Sequence, residues 1–417
     1  MIGTNWSGNV VYRASGLERP ASVAELAELV RGADRVKALG SRHCFTTIAD
    51  TDGLAVSVAG LPREMRVDAE RRVVRATAGL RYGELAEELD AAGWALPNLA
   101  SLPHISLAGA VATGTHGSGD AVGSLASAVA AIELVTSEGD VRTLRRGDSD
   151  FAGAVVSLGA LGIVSAIELD VVPRFDIAQT IFERLPLGAA LSHYDEITSL
   201  GYSVSLFTTW QDPDVIDQVW VKRRTDAAGE LPGEVFGARP APAKRHPLPG
   251  VDPVSCTEQL GAPGPWYARL PHFKLDFTPS NGDELQSEFL VPRARATAAI
   301  EAVRALAPRI AHLIQVTELR TMAADELWLS PAQGTAATGI HFTWVPDQSA
   351  VEAALPELEA ALEPFAARPH WGKLFTAVTL RDRLPELYPR WHDFRALRAA
   401  YDPRGVFANA YLAELGL

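Results

Sequence analysis

Residues 100–119 read ASLPHISLAGAVATGTHGSG. Gly109, Gly114, Gly117 and Gly119 stand among alanines, serines and threonines. A run this small lets backbone N–H groups come close to a pyrophosphate. The glycine order is not the dinucleotide fingerprint of the Rossmann fold, and no clear strand feeds it. The competing reading is a flexible loop or a tightly packed helix start. Ser101, Ser106, Thr113, Thr115 and His116 lie in the same stretch, which is rich in hydrogen-bonding groups for a purely structural turn.

Working outward, residues 39–45 read LGSRHCF, a short apolar run that stops at a glycine and then presents a histidine. Ser22 and Glu25 form a capping box that predicts a helix to about residue 33. Strands are predicted at 36–39 and 54–58, a hairpin at 65–68 and 73–77, and a helix at 82–92. A second hairpin is expected at 132–136 and 141–144, a helix at 151–160 and a strand at 163–172. From about 176 the texture becomes β-rich, with strands expected at 202–210, 215–223, 273–277 and 287–291. The Pro-rich stretch 231–253 reads as an extended surface loop. Helices are expected at 293–306, 349–362 and 384–400. The expected class is α+β, in two domains. Residues 1–175 form the first and 176–365 a second with a large antiparallel sheet flanked by helices, and 366–417 return to the first.

The chain has 417 residues, a net charge of −13, and 47% hydrophobic and 21% charged residues. That composition can bury a sizeable core and argues against a nucleic-acid partner. Cys44 and Cys256 are the only cysteines, too few for a disulfide framework or a Cys-based zinc site and consistent with a reducing cytoplasm. No secretory signal, no membrane span and no metal-ligand spacing is expected. Of 38 lysines and arginines only Lys37, Lys222, Lys244, Lys274 and Lys373 are lysines. A lysine in an apolar setting is then a candidate for proton chemistry, because arginine does not deprotonate.

Two strands and one lysine carry the chemistry. In VTELRT (316–321), Val316, Glu318 and Arg320 share a face by the two-residue period, with Ile314 in line. In GIHFTW (339–344), Ile340, Phe342 and Trp344 form an apolar face, opposite His341 and Thr343. If the strands are neighbours, Glu318, Arg320, His341 and Thr343 line one hydrophilic surface suited to a ligand rich in hydroxyls. In RPHWGKLF (368–375), Lys373 sits among apolar residues, where burial would lower its pKa towards that of a proton acceptor. The competing readings are an exposed salt-bridged strand, a satisfied structural histidine and a snorkelling lysine.

The collinear motifs GSRHCF (40–45), ASLPHISLAGAVATGTHGSG, LGALGIV (158–164), TELRT, HFTW, RPHWGK and DPRGVFANA (402–410) together resemble the alditol (xylitol) oxidases. These are covalent-FAD flavoproteins of the vanillyl-alcohol oxidase / p-cresol methylhydroxylase superfamily. The resemblance covers essentially the whole chain. It implies a PCMH-type FAD-binding domain followed by a cap domain, with FAD attached through His43. It implies cofactor contacts from Ala38, Leu39, Gly40, Ser41, Arg42, Cys44, Ser101, Ser106, Gly109, Thr113, Gly114, Thr115, His116, Val164 and His370. Substrate contacts fall on Ser101, Glu318, Arg320, Thr343 and Lys373. Cys44 departs from the serine expected after the flavin histidine, and Arg42 replaces the glycine of close relatives.

The implied activity is oxidation of the terminal C1 hydroxyl of xylitol, sorbitol and similar polyols to aldoses, with O2 reduced to H2O2. Lys373, Arg320 and His341 are the catalytic candidates, with Lys373 favoured as base over His341. A cytoplasmic monomer is expected. The nearest rival is an aldonolactone oxidase or dehydrogenase of the same superfamily. A nicotinamide-dependent dehydrogenase and a non-catalytic polyol-binding protein are more distant rivals.

Overall fold

The computed structural model describes residues 2–277 and 283–417. No sequence-predicted site residue lies in the gap. Ser22 caps the helix Val23–Gly32, its hydroxyl accepting from Glu25 N at 3.1 Å, while the Glu25 carboxylate accepts from Ala21 N at 2.8 Å. The helix buries Leu26, Ala27 and Val30 and leads into strand Val36–Ala38. That strand pairs in parallel with Leu54–Val56, which pairs with Gly16–Glu18. A five-stranded antiparallel sheet follows, in the order Met65–Asp68, Val73–Thr77, Ile163–Asp170, Val129–Val135, Val141–Arg145.

The second sheet has nine strands, all antiparallel. Its central strands run Val215–Arg224, Ser203–Thr208, Ile314–Met322, Ala337–Trp344, Leu285–Pro292. One face is apolar. Leu319, Ile340, Phe342 and Trp344 pack with Val303 and Leu306 of helix Ala296–Ile310, and with Val351 and Leu355 of helix Gln348–Leu362. The opposite face carries the polar residues. The apolar core beneath residues 26–177 also takes in Trp371, Leu384, Trp391, Phe394, Tyr411 and Leu412, so the last part of the chain packs there.

Several expectations are corrected. The helix predicted over 151–160 ends at Ala154, and positive φ at Leu158 and Gly159, 56° and 63°, bars it from reaching 160. Residues 273–277 form no strand; Phe273 makes a lone bridge to Cys256. Residues 384–400 split into Leu384–Leu387 and Trp391–Tyr401 around Pro389. An eleven-residue strand, Asp176–Pro186, was not expected. The Pro-rich stretch is not wholly on the surface: Val235, Ala238 and His246 are buried.

Ile314 is also displaced. The register shifts by one residue between Ile314, opposite Trp344, and Val316, opposite Thr343. This bulge at Gln315 sends Ile314 into the apolar core and leaves Val316, Glu318 and Arg320 on the other face.

Candidate active site

One continuous cavity of about 390 Å³ runs from the segments 37–59 and 100–116 to the polar face of the nine-stranded sheet. Every residue expected to touch cofactor or substrate lines it, except Gly114. Gly114 instead makes a turn at φ 65°, where an added Cβ would stand 3.1 Å from Pro331.

One end is a cradle of small residues. Strand Val36–Ala38 delivers the chain to Gly40, where a Cβ would meet Ser106 Oγ at 2.5 Å. Ser106 caps the short helix Leu107–Ala112, and Ser41 Oγ accepts from Ser106 N at 3.1 Å. A Cβ on Gly109 would also crowd Ser106 Oγ, at 2.9 Å. His43 follows Arg42, whose φ is 62°, and stacks on Trp6 at 5.7 Å. Burial pushes the His43 imidazole down to about 4, so the ring is neutral. His43 Nδ1 and Ser106 Oγ are buried with no hydrogen-bond partner among the described residues. Orphaned buried polar atoms beside a glycine-lined cradle are what a large polar cofactor satisfies. Cys44 stays a neutral thiol, its pKa pushed up to about 12 by burial, with its sulfur turned towards Gly372.

The other end is ionic. Strands Ile314–Met322 and Ala337–Trp344 are neighbours, with Glu318 opposite His341 and Val316 opposite Thr343. Both strands are buried, so VTELRT is no exposed salt-bridged strand. Beneath the cavity floor lies a residue that sequence reasoning missed, Glu288. Its side chain is fully buried, and it accepts from Arg320 Nη2 and Lys373 Nζ, both at 2.6 Å. His116 Nε2 stands 3.2 Å from the same carboxylate. Burial alone would raise the Glu288 pKa, but Arg320, Lys373 and His116 outweigh it and hold Glu288 well below the usual carboxylate range. His116, Glu288 and His370 bring ligand atoms within 4.8 Å of one another, yet two protein cations already balance that carboxylate.

Lys373 is not enclosed by apolar side chains alone. Its Nζ bonds Glu288 and lies 2.8 Å from His341 Nδ1. Burial lowers its pKa, and Glu288 opposes the shift. His341 Nε2 lies 3.2 Å from Thr343 Oγ1, and burial with Lys373 nearby keeps this imidazole well below its ordinary pKa. Arg320 Nη1 reaches Ser101 Oγ and His116 O at 3.4 Å. Glu318 lies 3.7 Å from Arg320 Nε and accepts from His272 at 2.8 Å. His272 was also missed. It follows Pro271 in a loop with no periodic pattern.

Two family models match the two ends. One described as an FAD binding domain covers residues 14–145, and one described as D-arabinono-1,4-lactone oxidase covers residues 282–415. The molecule is an FAD-dependent oxidoreductase. An alditol oxidase from Streptomyces sp. (strain IKD472 / FERM P-14339) is 49% identical over 417 residues, spanning 99% of this chain and 98% of that protein. The chain belongs to the alditol oxidase family, within the PCMH-type flavoprotein superfamily. An L-gulono-1,4-lactone dehydrogenase from Mycobacterium tuberculosis is 31% identical over 428 residues, spanning 98% of each chain. The fold matches a crystal structure of cholesterol oxidase from B. sterolicum with a TM-score of 0.80, at 14% identity, over 99% of this chain and 96% of that one. No helix among the described residues is long and apolar enough to cross a membrane.

Proposed function

We propose that this protein oxidises the terminal C1 hydroxyl of linear polyols such as xylitol and sorbitol to the aldose, with O2 as acceptor and H2O2 as by-product. The similarity to an alditol oxidase over nearly the whole chain supports the substrate class. When bound, FAD would supply the two-electron acceptor for hydride from C1, with O2 as the final oxidant. The cradle around Gly40, Ser106 and Gly109 would hold it, with Val164 and His370 alongside. His43, neutral and with an unpartnered Nδ1, is the residue for a covalent link. Residues 1–175 with 366–417 act as the cofactor domain and 176–365 as the substrate domain. The two free cysteines suit a reducing, cytoplasmic setting.

The observation that carries the mechanism is the bonding of Lys373. In its neutral form the amine has two N–H bonds and one lone pair. Glu288 and His341 take the two donors, which leaves the lone pair for the C1 hydroxyl proton. His341 is the weaker base in this reading. Its Nδ1 lone pair is occupied by Lys373, and its Nε2 proton is directed to Thr343. Arg320 stays charged and stabilises negative charge developing on the alkoxide oxygen. Ser101, Glu318 and Thr343 bind the remaining hydroxyls. A substrate lacking one would leave those polar groups unpaired, a strong basis for rejection.

The test is an absorbance spectrum of the purified protein before and after anaerobic addition of xylitol. A yellow chromophore that bleaches supports the proposal. A chromophore that bleaches with L-gulono-1,4-lactone but with no linear polyol would transfer the protein to the lactone-oxidising branch.

A further inference from the structure

Lys222 lies on strand Val215–Arg224, is 1% exposed and does not line the cavity. Its Nζ has three acceptors: Leu270 O at 2.5 Å, Pro271 O at 3.1 Å and His272 Nδ1 at 2.9 Å. Burial lowers the Lys222 pKa to about 7 and Glu318 opposes that shift; as the ammonium it has three N–H bonds and no lone pair, so all three donors are spent. The ionised Glu318 carboxylate can only accept, so His272 offers its Nδ1 lone pair to Lys222. Its ring proton is on Nε2, the atom 2.8 Å from Glu318 Oε1. Burial, with Lys222 beside it, keeps the ring neutral at about 4. The imidazole is also fixed in orientation, with Trp220 and Phe207 set edge-on at 5.3 and 5.5 Å and its backbone N–H on Ser101 O at 3.1 Å.

The charges explain why such a relay is needed. Glu288 absorbs Arg320 and Lys373 at 2.6 Å, whereas Glu318 has Arg320 no closer than 3.7 Å. A carboxylate this deeply buried needs compensation. Glu318 is nevertheless held far below the usual carboxylate range: burial would raise it, and Arg320 and His272 outweigh that.

We propose that Lys222 and His272 form a positioning relay that fixes Glu318 through one oxygen, leaving the other free to accept a hydrogen bond from a substrate hydroxyl. This rests on the polyol reading of the site. Neither residue takes part in the redox step. Lys222 and Glu318 together set the tautomer of His272, and His272 holds the rotamer and charge of Glu318. In the proposed reading Glu318 binds a hydroxyl other than the one at C1, so loss of the relay weakens binding more than turnover.

The experiment is ring-nitrogen NMR of the holoenzyme labelled with 15N-histidine, with His272 identified by its loss in His272→Gln. The expected signal is a neutral imidazole protonated at Nε2, converting to a mixture of tautomers in Lys222→Met. In parallel, Lys222→Met and His272→Leu should raise KM for xylitol by about 10-fold or more, the size of a lost charge-assisted hydrogen bond, with kcat changed less than about 3-fold. His272→Gln, whose carboxamide accepts from Lys222 and donates to Glu318, should keep KM within about 3-fold of the parent. An Nδ1-protonated His272 in the unmodified enzyme overturns the relay, and that measurement needs no foldable Lys222 variant. Equal KM effects of Gln and Leu at position 272 overturn it as well. If xylitol fails to reduce the unmodified enzyme, the polyol reading falls while the tautomer still judges the relay.

Discussion

Replacing Glu288 with Gln separates the charge of the buried carboxylate from its shape. In the parent, burial lowers the Lys373 pKa and Glu288, 2.6 Å away, raises it again. Removing an opposite charge at this range shifts a pKa by about 1–3 units. The direction is downward, because the ammonium loses the partner that favoured it. The active form is the neutral amine, so the rate of flavin reduction rises with pH through the Lys373 pKa. In Glu288→Gln that limb should move to lower pH by about 1–3 units. The variant should also lose roughly 3–5 kcal/mol of stability, because Arg320 and Lys373 are left facing each other without the carboxylate. Anaerobic stopped-flow reduction by xylitol from about pH 5 to 10 reads the limb, and urea unfolding reads the stability. The position of the limb is decisive rather than the plateau height, which Arg320 misplacement also lowers. A limb that stays in place, or moves to higher pH, refutes Lys373 as the base.

Lys373→Met should retain the yellow cofactor but reduce the rate of flavin reduction by about 10²–10⁴-fold, measured by the same stopped-flow assay. His43→Ala should give protein whose flavin appears in the supernatant after acid precipitation, whereas the parent's flavin stays with the pellet. Glu359 accepts from Thr376 N at 2.6 Å, and burial raises its pKa to about 7. A carboxyl with a raised folded-state pKa is favourable below its unfolded pKa, and that contribution is lost as pH rises through 7. Glu359→Gln should therefore gain about 3 kcal/mol over the parent at pH 8 and little at pH 4, read by urea unfolding at both.

The parts of this molecule that could be read from sequence are those governed by local periodicity. The alternation in GIHFTW placed Ile340, Phe342 and Trp344 in the core and His341 and Thr343 on the other face, as the structure has them. The Ser22–Glu25 box fixed a helix start to the residue. Glu288 was invisible because its meaning is non-local. Leu285, Ser287, Phe289 and Val291 share one face of its strand, and nothing adjacent marks a lone acid on the other. Its partners at 116, 320 and 373 arrive from three other segments. Residues 151–160 misled because helix-compatible residues precede a Leu-Gly pair that folding forces into the left-handed region. His272 sits in a loop whose shape comes from its neighbours rather than from any pattern of its own.

The extra residue at Gln315 acts as a phase shifter. Before it, Ile314 points to the helical layer; after it, the alternation resumes one step out of phase. Deleting that one position would force a choice, either turning Glu318 and Arg320 into the oil of the core or swinging Ile314 out of it. One inserted residue thus lets Ile314 enter the core while the alternation beyond it sends Leu319 inward and Glu318 and Arg320 to the substrate.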